Sequence, residues 1–393
     1  MAPLGAALGV AFGVTVVFIT VFNYLVGPMS ADLGLSVAEL SLGLSLHLGL
    51  LILSLPMAGA VADRLGPQKT AAGSAVLYGA CLWWVSAASG SRAELYGALA
   101  LAAILGAGAS PITYARALVA RFDASRGAAL GIALAGVGAA SMILPSVVQA
   151  ITLAAGWRTA LAVLALLTAL AGTIAATAIG DGELRGSSSS KATSGATLTQ
   201  AAHTTAFWQI AAAFVLLGLS LSGVVAHLSE VWSGLGVTSL SVPGFQMAIG
   251  AATIIGRLVG GMMMDRWPAH GVGALFGLFG AAGLALLIYG GDNVAVLLLA
   301  GAALGLCLGA ESDVASYLVS RYFGLANFAR IYAVQASAFM VGLAAGPSIF
   351  TLGQARTSYE LLLGLCAAGV AASALALATL RPPPMTLATT RAA

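Results

Sequence analysis

The chain has 393 residues, of which 60% are hydrophobic and only 7% are charged, and its mean hydropathy is +1.00. Soluble domains carry about 25% charged residues, so this composition excludes an ordinary water-soluble protein and indicates a membrane protein. The net charge is only +3 and the basic residues are scattered over short loops, so we expect no nucleic-acid partner.

Runs of mostly apolar residues divide the chain into twelve segments. About 20 such residues cross a bilayer as a helix. We predict the segments at residues 6–27, 37–59, 70–89, 95–120, 128–152, 158–180, 206–229, 243–264, 271–290, 294–320, 328–352 and 360–380. Fifty glycines fit closely packed helices, whereas a β-barrel shows short alternating segments. The predicted fold class is an all-α membrane protein with two pseudo-symmetric six-helix bundles.

The longest polar stretch lies between the sixth and seventh segments. It extends from Asp181 to His203 and contains Gly-Ser-Ser-Ser-Ser, a composition typical of a linker. We predict an amino-terminal bundle over residues 1–180, a cytoplasmic linker over 181–205, a carboxy-terminal bundle over 206–381 and a cytoplasmic tail over 382–393.

Lysine and arginine indicate orientation, because cytoplasmic loops retain them. With the amino terminus inside, the cytoplasmic segments hold Arg64, Lys69, Arg116, Arg121, Arg126, Arg185, Lys191, Arg266, Arg321, Arg330, Arg381 and Arg391, and the outer segments hold Arg92, Arg158 and Arg356. Twelve against three predicts that both termini are cytoplasmic. We expect a multi-pass protein of a bacterial inner membrane.

One short pattern occurs twice, each time where a predicted helix ends. Its copies are Gly59-Ala-Val-Ala-Asp63-Arg64 and Gly261-Met-Met-Met-Asp265-Arg266. The same charged pair at the same exit point of both halves indicates duplicated bundles. An aspartate at a helix end can accept hydrogen bonds from the N–H groups of a neighbouring helix terminus, which would latch one state. The alternative is a loop that only fixes topology.

The repeat, the twelve segments and the linker together resemble the major facilitator superfamily of secondary transporters. In that superfamily the loop after the second helix of each half carries Gly-x-x-x-Asp-Arg-x-Gly. The residues that match it are Gly59, Asp63, Arg64 and Gly66, with Lys69 following, and in the second copy Gly261, Asp265 and Arg266. The resemblance implies a cytoplasmic gating motif. Pro67 and Gln68 depart from it, and Trp267-Pro268 leaves the second copy without its last glycine.

Several patches resemble the monocarboxylate transporter family, including its oxalate:formate antiporter relatives. They are residues 121–131, Ala135-Gly136, Pro145, Gly156-Trp157-Arg158 and 256–261. The resemblance implies that Arg257 engages a substrate carboxylate. The first segment lacks the family's lysine, and Thr253 replaces an aspartate of the animal members. The resemblance to oxalate transporters implies a second intramembrane cation in the eleventh segment, but that segment holds only Arg330, near its cytoplasmic start. A second buried carboxylate would lack a partner, so we expect a monoanion rather than a dianion as substrate.

Arg257 is also the strongest candidate from its position alone. A charged side chain deep in a membrane costs roughly 2.5 to 3.5 kcal/mol on insertion scales, so it usually faces protein or a watery cavity. Arg257 lies well inside the eighth segment. Its predicted role is substrate binding, and the alternative is a structural partner for an acidic residue.

Glu311 and Asp313 are the acidic candidates for proton coupling, inside the tenth segment. Residues two apart on a helix point about 200° apart, so both cannot face one cavity. Asp313 shares a small-residue stripe with Gly305 and Gly309, which favours Glu311 for the cavity. A buried structural ion pair or hydrogen bond is the alternative for each.

Further polar residues are candidates for lining the transport pathway. They are Asn23, Tyr24, Tyr114, His227, Tyr332 and Gln335. Tyr114 follows Ser110-Pro111, where we expect a broken helix. His47 could relay protons, but a lone membrane histidine more commonly hydrogen-bonds one helix to another.

No spacing typical of a metal site, a phosphate-binding loop or a nucleophile triad occurs, and Cys81, Cys307 and Cys366 lie inside apolar runs. We therefore expect no cofactor, no metal and no enzymatic activity. The predicted function is proton-coupled symport of small monocarboxylates by alternating access, by a monomer whose partners are the organic anion, protons and the bilayer. The alternatives are an exporter of drugs or hydrophobic metabolites and an organic-anion exchanger.

Overall fold

The structure is a computed structural model that describes residues 1–180, 195–235, 242–291 and 293–381. Its helices are α1 (Ala2–Ala11), α2 (Val14–Leu33), α3 (Val37–Leu65), α4 (Pro67–Ser86), α5 (Arg92–Gly106), α6 (Pro111–Arg121), α7 (Arg126–Ile179), α8 (Leu198–Ala202), α9 (Thr205–Ala226), α10 (Leu228–Gly234), α11 (Val242–Met264), α12 (Ala269–Tyr289), α13 (Val294–Tyr322), α14 (Phe328–Gln354) and α15 (Tyr359–Ala378). Most of the predicted linker and the whole predicted tail lie outside the described residues. The described part of the linker contains α8, which was not predicted.

Ten helical stretches of the described chain are long and apolar enough to cross a membrane. One of them, α7, has 54 residues and contains two helices joined at Gly156, whose φ of 84° is outside the helical range. The 20-residue α4 is less apolar and accounts for the remaining predicted segment. The all-α membrane fold is therefore confirmed.

The helices form two compact units. Among the described residues, the first unit contains Met1–Asp123, 132–180 and Asn327–Ala333, and the second contains Ala124–Gly131, 195–326 and 334–381. This division differs from the predicted bundles in two short segments, each of which belongs to the opposite unit. The first turn of α7 packs in the second unit, and the first turn of α14 packs in the first unit.

Two helix interruptions meet in the first unit. The chain leaves helical geometry at Gly13, between α1 and α2, and a three-residue 3-10 helix at Ala107–Ala109 separates α5 from α6. A Cβ atom at Gly13 would lie 2.4 Å from the carbonyl oxygen of Ala109, so only glycine allows this approach. The fourth segment is broken before Pro111, as expected. The first segment, predicted over residues 6–27, is also broken, at Gly13, and this interruption was not predicted.

Close packing of α11 against α13 organises the second unit. Gly301, Gly305 and Gly309 on α13 would place Cβ atoms 2.3–2.8 Å from carbonyl oxygens of α11, at Phe245, Ile249 and Thr253. Without side chains at these positions, the two backbones approach closely. The contact continues to Gly309 beside the backbone of Arg257, and so brings Arg257 next to the acidic part of α13.

Candidate functional site

The aspartate of the first repeat copy caps the start of α14. Asp63 accepts hydrogen bonds from the backbone N–H groups of Ala329 (3.2 Å) and Arg330 (3.0 Å), the second and third residues of that helix. These N–H groups have no partner inside their own helix. Asp63 also pairs with Arg116 Nε at 2.9 Å, and the two side chains are only 7% and 9% exposed.

The second copy repeats this geometry on α7. Asp265 accepts hydrogen bonds from the N–H groups of Gly127 (2.6 Å) and Ala128 (2.9 Å), again the second and third residues of a helix. Within the described residues no basic side chain pairs with Asp265. Each aspartate therefore serves as a helix cap supplied from a distant part of the chain.

The glycine that opens each copy has a steric role. A Cβ atom at Gly59 would lie 2.5 Å from the carbonyl oxygen of Ala329, and Gly261 approaches Gly127 in the same way. Gly66 has φ of 90°, which allows the chain to turn from α3 into α4. The remaining members of the motif, Arg64, Lys69 and Arg266, are exposed.

Arg116 has a role that was not predicted from the sequence, where it counts only as a cytoplasmic charge. Arg116 is buried and pairs with Asp63, 53 positions earlier in the chain. Its place inside the predicted 95–120 segment is the signal that could have revealed this, because a charge inside a span requires a partner.

Arg257 lies buried in the second unit, with 6% of its surface exposed. Its Nε and Nη1 atoms are buried without hydrogen-bond partners in the described part of the chain. Both carboxylate oxygens of Asp313 are likewise buried without hydrogen-bond partners among the described residues, and Asp313 is 0% exposed. Glu311 is half-buried and accepts a hydrogen bond from the Ser312 hydroxyl. The three charged groups thus share one buried region with most of their hydrogen-bonding capacity unused.

Arg257 interacts electrostatically with both acids. It lies within 4 Å of neither carboxylate, since no ion pair joins these described residues. A buried guanidinium with free donors is suited to a carboxylate ligand, which it can bind through two parallel hydrogen bonds. Because one cation faces two acids, at most one of the acids can be balanced by Arg257.

Three of the other predicted pathway residues belong to the first unit. Tyr114, buried in the first unit with a hydroxyl that has no partner among the described residues, packs its ring against Gly9. Tyr332 is also in the first unit, buried beside Phe328, and Asn23 is exposed on α2.

His227 lies in the second unit at the end of α9. Its Nδ1 is 3.0 Å from the carbonyl oxygen of Gly223, and its Nε2 is 3.0 Å from the Thr351 hydroxyl. The ring stacks on Phe350 with centroids 5.1 Å apart. These contacts connect α9 with α14, and nothing in the geometry groups His227 with Arg257.

Comparison with known proteins identifies the family. Residues 6–293 match the sequence profile of the Major Facilitator Superfamily, which is more than half of the chain. The chain belongs to the major facilitator superfamily. As a member of that superfamily it is a membrane transporter and not an enzyme. No curated protein matches the sequence significantly.

A solved major facilitator structure supports the same fold. The proton:xylose symporter XylE bound to 6-bromo-6-deoxy-D-glucose superposes with a TM-score of 0.70 at 15% identity, covering 95% of this chain and 93% of that one. At this identity the likeness concerns the fold alone. The chain therefore has the major facilitator fold.

Proposed function

We propose that the protein is a secondary active transporter of small monocarboxylates, driven by protons. The observation that carries this proposal is Arg257, a buried arginine whose Nε and Nη1 have no protein partner among the described residues. A charge is kept inside a membrane protein at considerable cost, so an unpaired one marks a ligand site more often than a structural element. A monocarboxylate supplies the missing acceptors in a bidentate geometry.

Proton coupling rests on the acids beside Arg257. The two candidates are Glu311 and Asp313, and whichever of them is ionised attracts the guanidinium and competes with an incoming anion. Protonation of an acid removes that competition, so the proton and the substrate favour each other's binding by the same factor. Movement of both together carries no net charge, and an inward proton gradient then drives uptake.

Further features support transport by alternating access. Broken helices commonly border substrate sites in secondary transporters, and the interruptions at Gly13 and before Pro111 are of this kind. The capped helix starts at Asp63 and Asp265 are suited to a cytoplasmic latch that holds one state. The proton:xylose symporter XylE has the same fold. We place the monomeric transporter in a bacterial inner membrane with both termini in the cytoplasm.

Uptake into proteoliposomes tests the proposal. We expect lactate-like monocarboxylates to accumulate when the inside is alkaline, and Arg257→Ala to abolish uptake. The matched control is Arg356→Ala, because Arg356 is an exposed arginine of the same unit and should be dispensable. Uptake of carboxylates that is unchanged in Arg257→Ala would exclude this site.

The same assay separates the alternatives. An exchanger would require an internal organic anion and would not respond to the pH gradient alone. An exporter of hydrophobic metabolites would be inhibited by lipophilic amines rather than by small acids. Either result would replace the symport assignment.

A further inference from the structure

The two acids beside Arg257 differ in their surroundings, although they are only two residues apart. Asp313 is 0% exposed, and neither of its carboxylate oxygens has a hydrogen-bond partner in the described chain. Glu311 is half-buried and is hydrogen-bonded to the Ser312 hydroxyl. An ionised carboxylate without donors or water is far more costly than a neutral acid in the same place. The site therefore favours charge on Glu311 and neutrality on Asp313.

The helices packed against α13 do not reverse this preference for charge on Glu311 and neutrality on Asp313. α13 packs against α11, α12 and α9 and receives the first turn of α7. Arg257 is the only titratable residue of α11, α9 has none, and α12 has only His270 and Tyr289, at its two ends. Arg126 of α7 donates to Ser320, about two turns nearer the end of α13. On α13 itself, Cys307 interacts with Glu311, and Tyr317, one turn beyond Asp313, accepts a hydrogen bond from Arg321.

The net charge of Arg257, Glu311 and Asp313 limits the role of each acid in transport. With both acids ionised, the empty cluster has a net charge of −1, and a bound monoanion would make it −2. With Asp313 neutral, Arg257 and Glu311 balance in the empty site. A bound monoanion replaces Glu311 as the partner of Arg257, and one proton on Glu311 restores neutrality.

We propose that Asp313 stays protonated throughout the transport cycle and that Glu311 alone carries the transported proton, at one proton per monocarboxylate. The inference rests on the proposed function and assigns different roles to its two candidate acids. Asp313 is fully buried and continues the stripe of Gly305 and Gly309, which packs against α11. Glu311 is the less buried member of the pair, and the proposal requires its proton to exchange with water.

Two isosteric variants test this division. Asp313→Asn replaces a neutral acid by a neutral amide, so we expect pH-driven uptake and proton stoichiometry to remain at wild-type level. Glu311→Gln mimics the protonated carrier, so we expect loss of the response to a pH gradient, with exchange of labelled for unlabelled substrate retained. The reverse pattern, with Asp313→Asn uncoupled and Glu311→Gln coupled, would overturn the assignment and leave monocarboxylate transport standing.

An infrared measurement tests the protonation of Asp313 without any substrate. At neutral to mildly alkaline pH, where the solvated carboxylates are ionised, the C=O stretch of a protonated carboxylic acid should be present in the wild type and absent from Asp313→Asn. If the band disappears from the wild type at neutral pH, Asp313 ionises and the inference fails. If the band persists but no monocarboxylate is transported by the wild type, only the proposed function fails. Loss of the band from the wild type overturns the inference even if a variant does not fold.

Discussion

A Cβ atom added at Gly261 would lie 2.4 Å from the carbonyl oxygen of Gly127. Real Cβ contacts essentially never come within 3.0 Å, so α7 would have to move away from its aspartate cap. We expect Gly261→Ala to lower the free energy of unfolding by about 1–3 kcal/mol, the usual cost of overpacking. Thermal unfolding in detergent measures this change.

The control for that variant lies on the same helix. Gly250 has open space around its Cβ position, so Gly250→Ala should be neutral or should stabilise α11 by up to about 1 kcal/mol. Equal destabilisation by both substitutions would show that the contact with Gly127 is unimportant.

The two capping aspartates should differ in their contribution to stability. Asp63→Asn leaves the buried Arg116 without its counter-charge, which typically costs about 3–5 kcal/mol. Asp265→Asn weakens only hydrogen bonds to backbone N–H groups, at about 1.5–3 kcal/mol. Comparison of unfolding midpoints should therefore rank Asp63→Asn as the more damaging variant. Rescue of Asp63→Asn by Arg116→Met would confirm that the unpaired charge is the cause.

Arg257→Lys separates charge from geometry at the proposed substrate site. Lysine keeps the positive charge but loses the planar pair of donors. If one charge-assisted hydrogen bond of about 1.5–3 kcal/mol is lost, substrate affinity should fall by about 10- to 100-fold. Substrate-protected thermal shifts would give the affinity, and an unchanged value would argue against bidentate binding.

His47 is expected to stabilise the first unit without carrying protons. Its Nδ1 is 2.8 Å from the carbonyl oxygen of Leu99, and its ring stacks on Phe18 with centroids 3.8 Å apart. His47→Asn keeps a donor near that carbonyl, whereas His47→Ala removes the donor and should cost about 1–3 kcal/mol. Neither should alter the pH profile of uptake. A shifted profile in His47→Asn would make His47 part of the proton path.

Much of the fold is predictable because membrane spans are encoded locally. The length of an apolar run decides whether it crosses a bilayer, so all twelve segments are visible in the sequence. The capping role of Asp63 and Asp265 can also be predicted from the sequence, because an acid at a helix end has few other favourable partners.

What the sequence does not reveal depends on contacts between distant residues. The interruption at Gly13 follows from the approach of Ala109 and has no proline to announce it. The pairing of Arg116 with Asp63 likewise depends on which helix faces lie together. The different surroundings of Glu311 and Asp313 follow from the packing of α11 on α13, whereas helical periodicity only shows that their directions differ.

The two caps also differ in when their partners are synthesised. Ala329 follows Asp63 by 266 residues, so at about 5–20 residues per second roughly 10–50 s pass before the first cap can form. Gly127 precedes Asp265 by 138 residues and already exists when that aspartate emerges. Arg116 arrives only 53 residues after Asp63. Asp63, whose helix partner is synthesised late, thus has Arg116 as an early counter-ion. The helix partner of Asp265 is already present when Asp265 is synthesised.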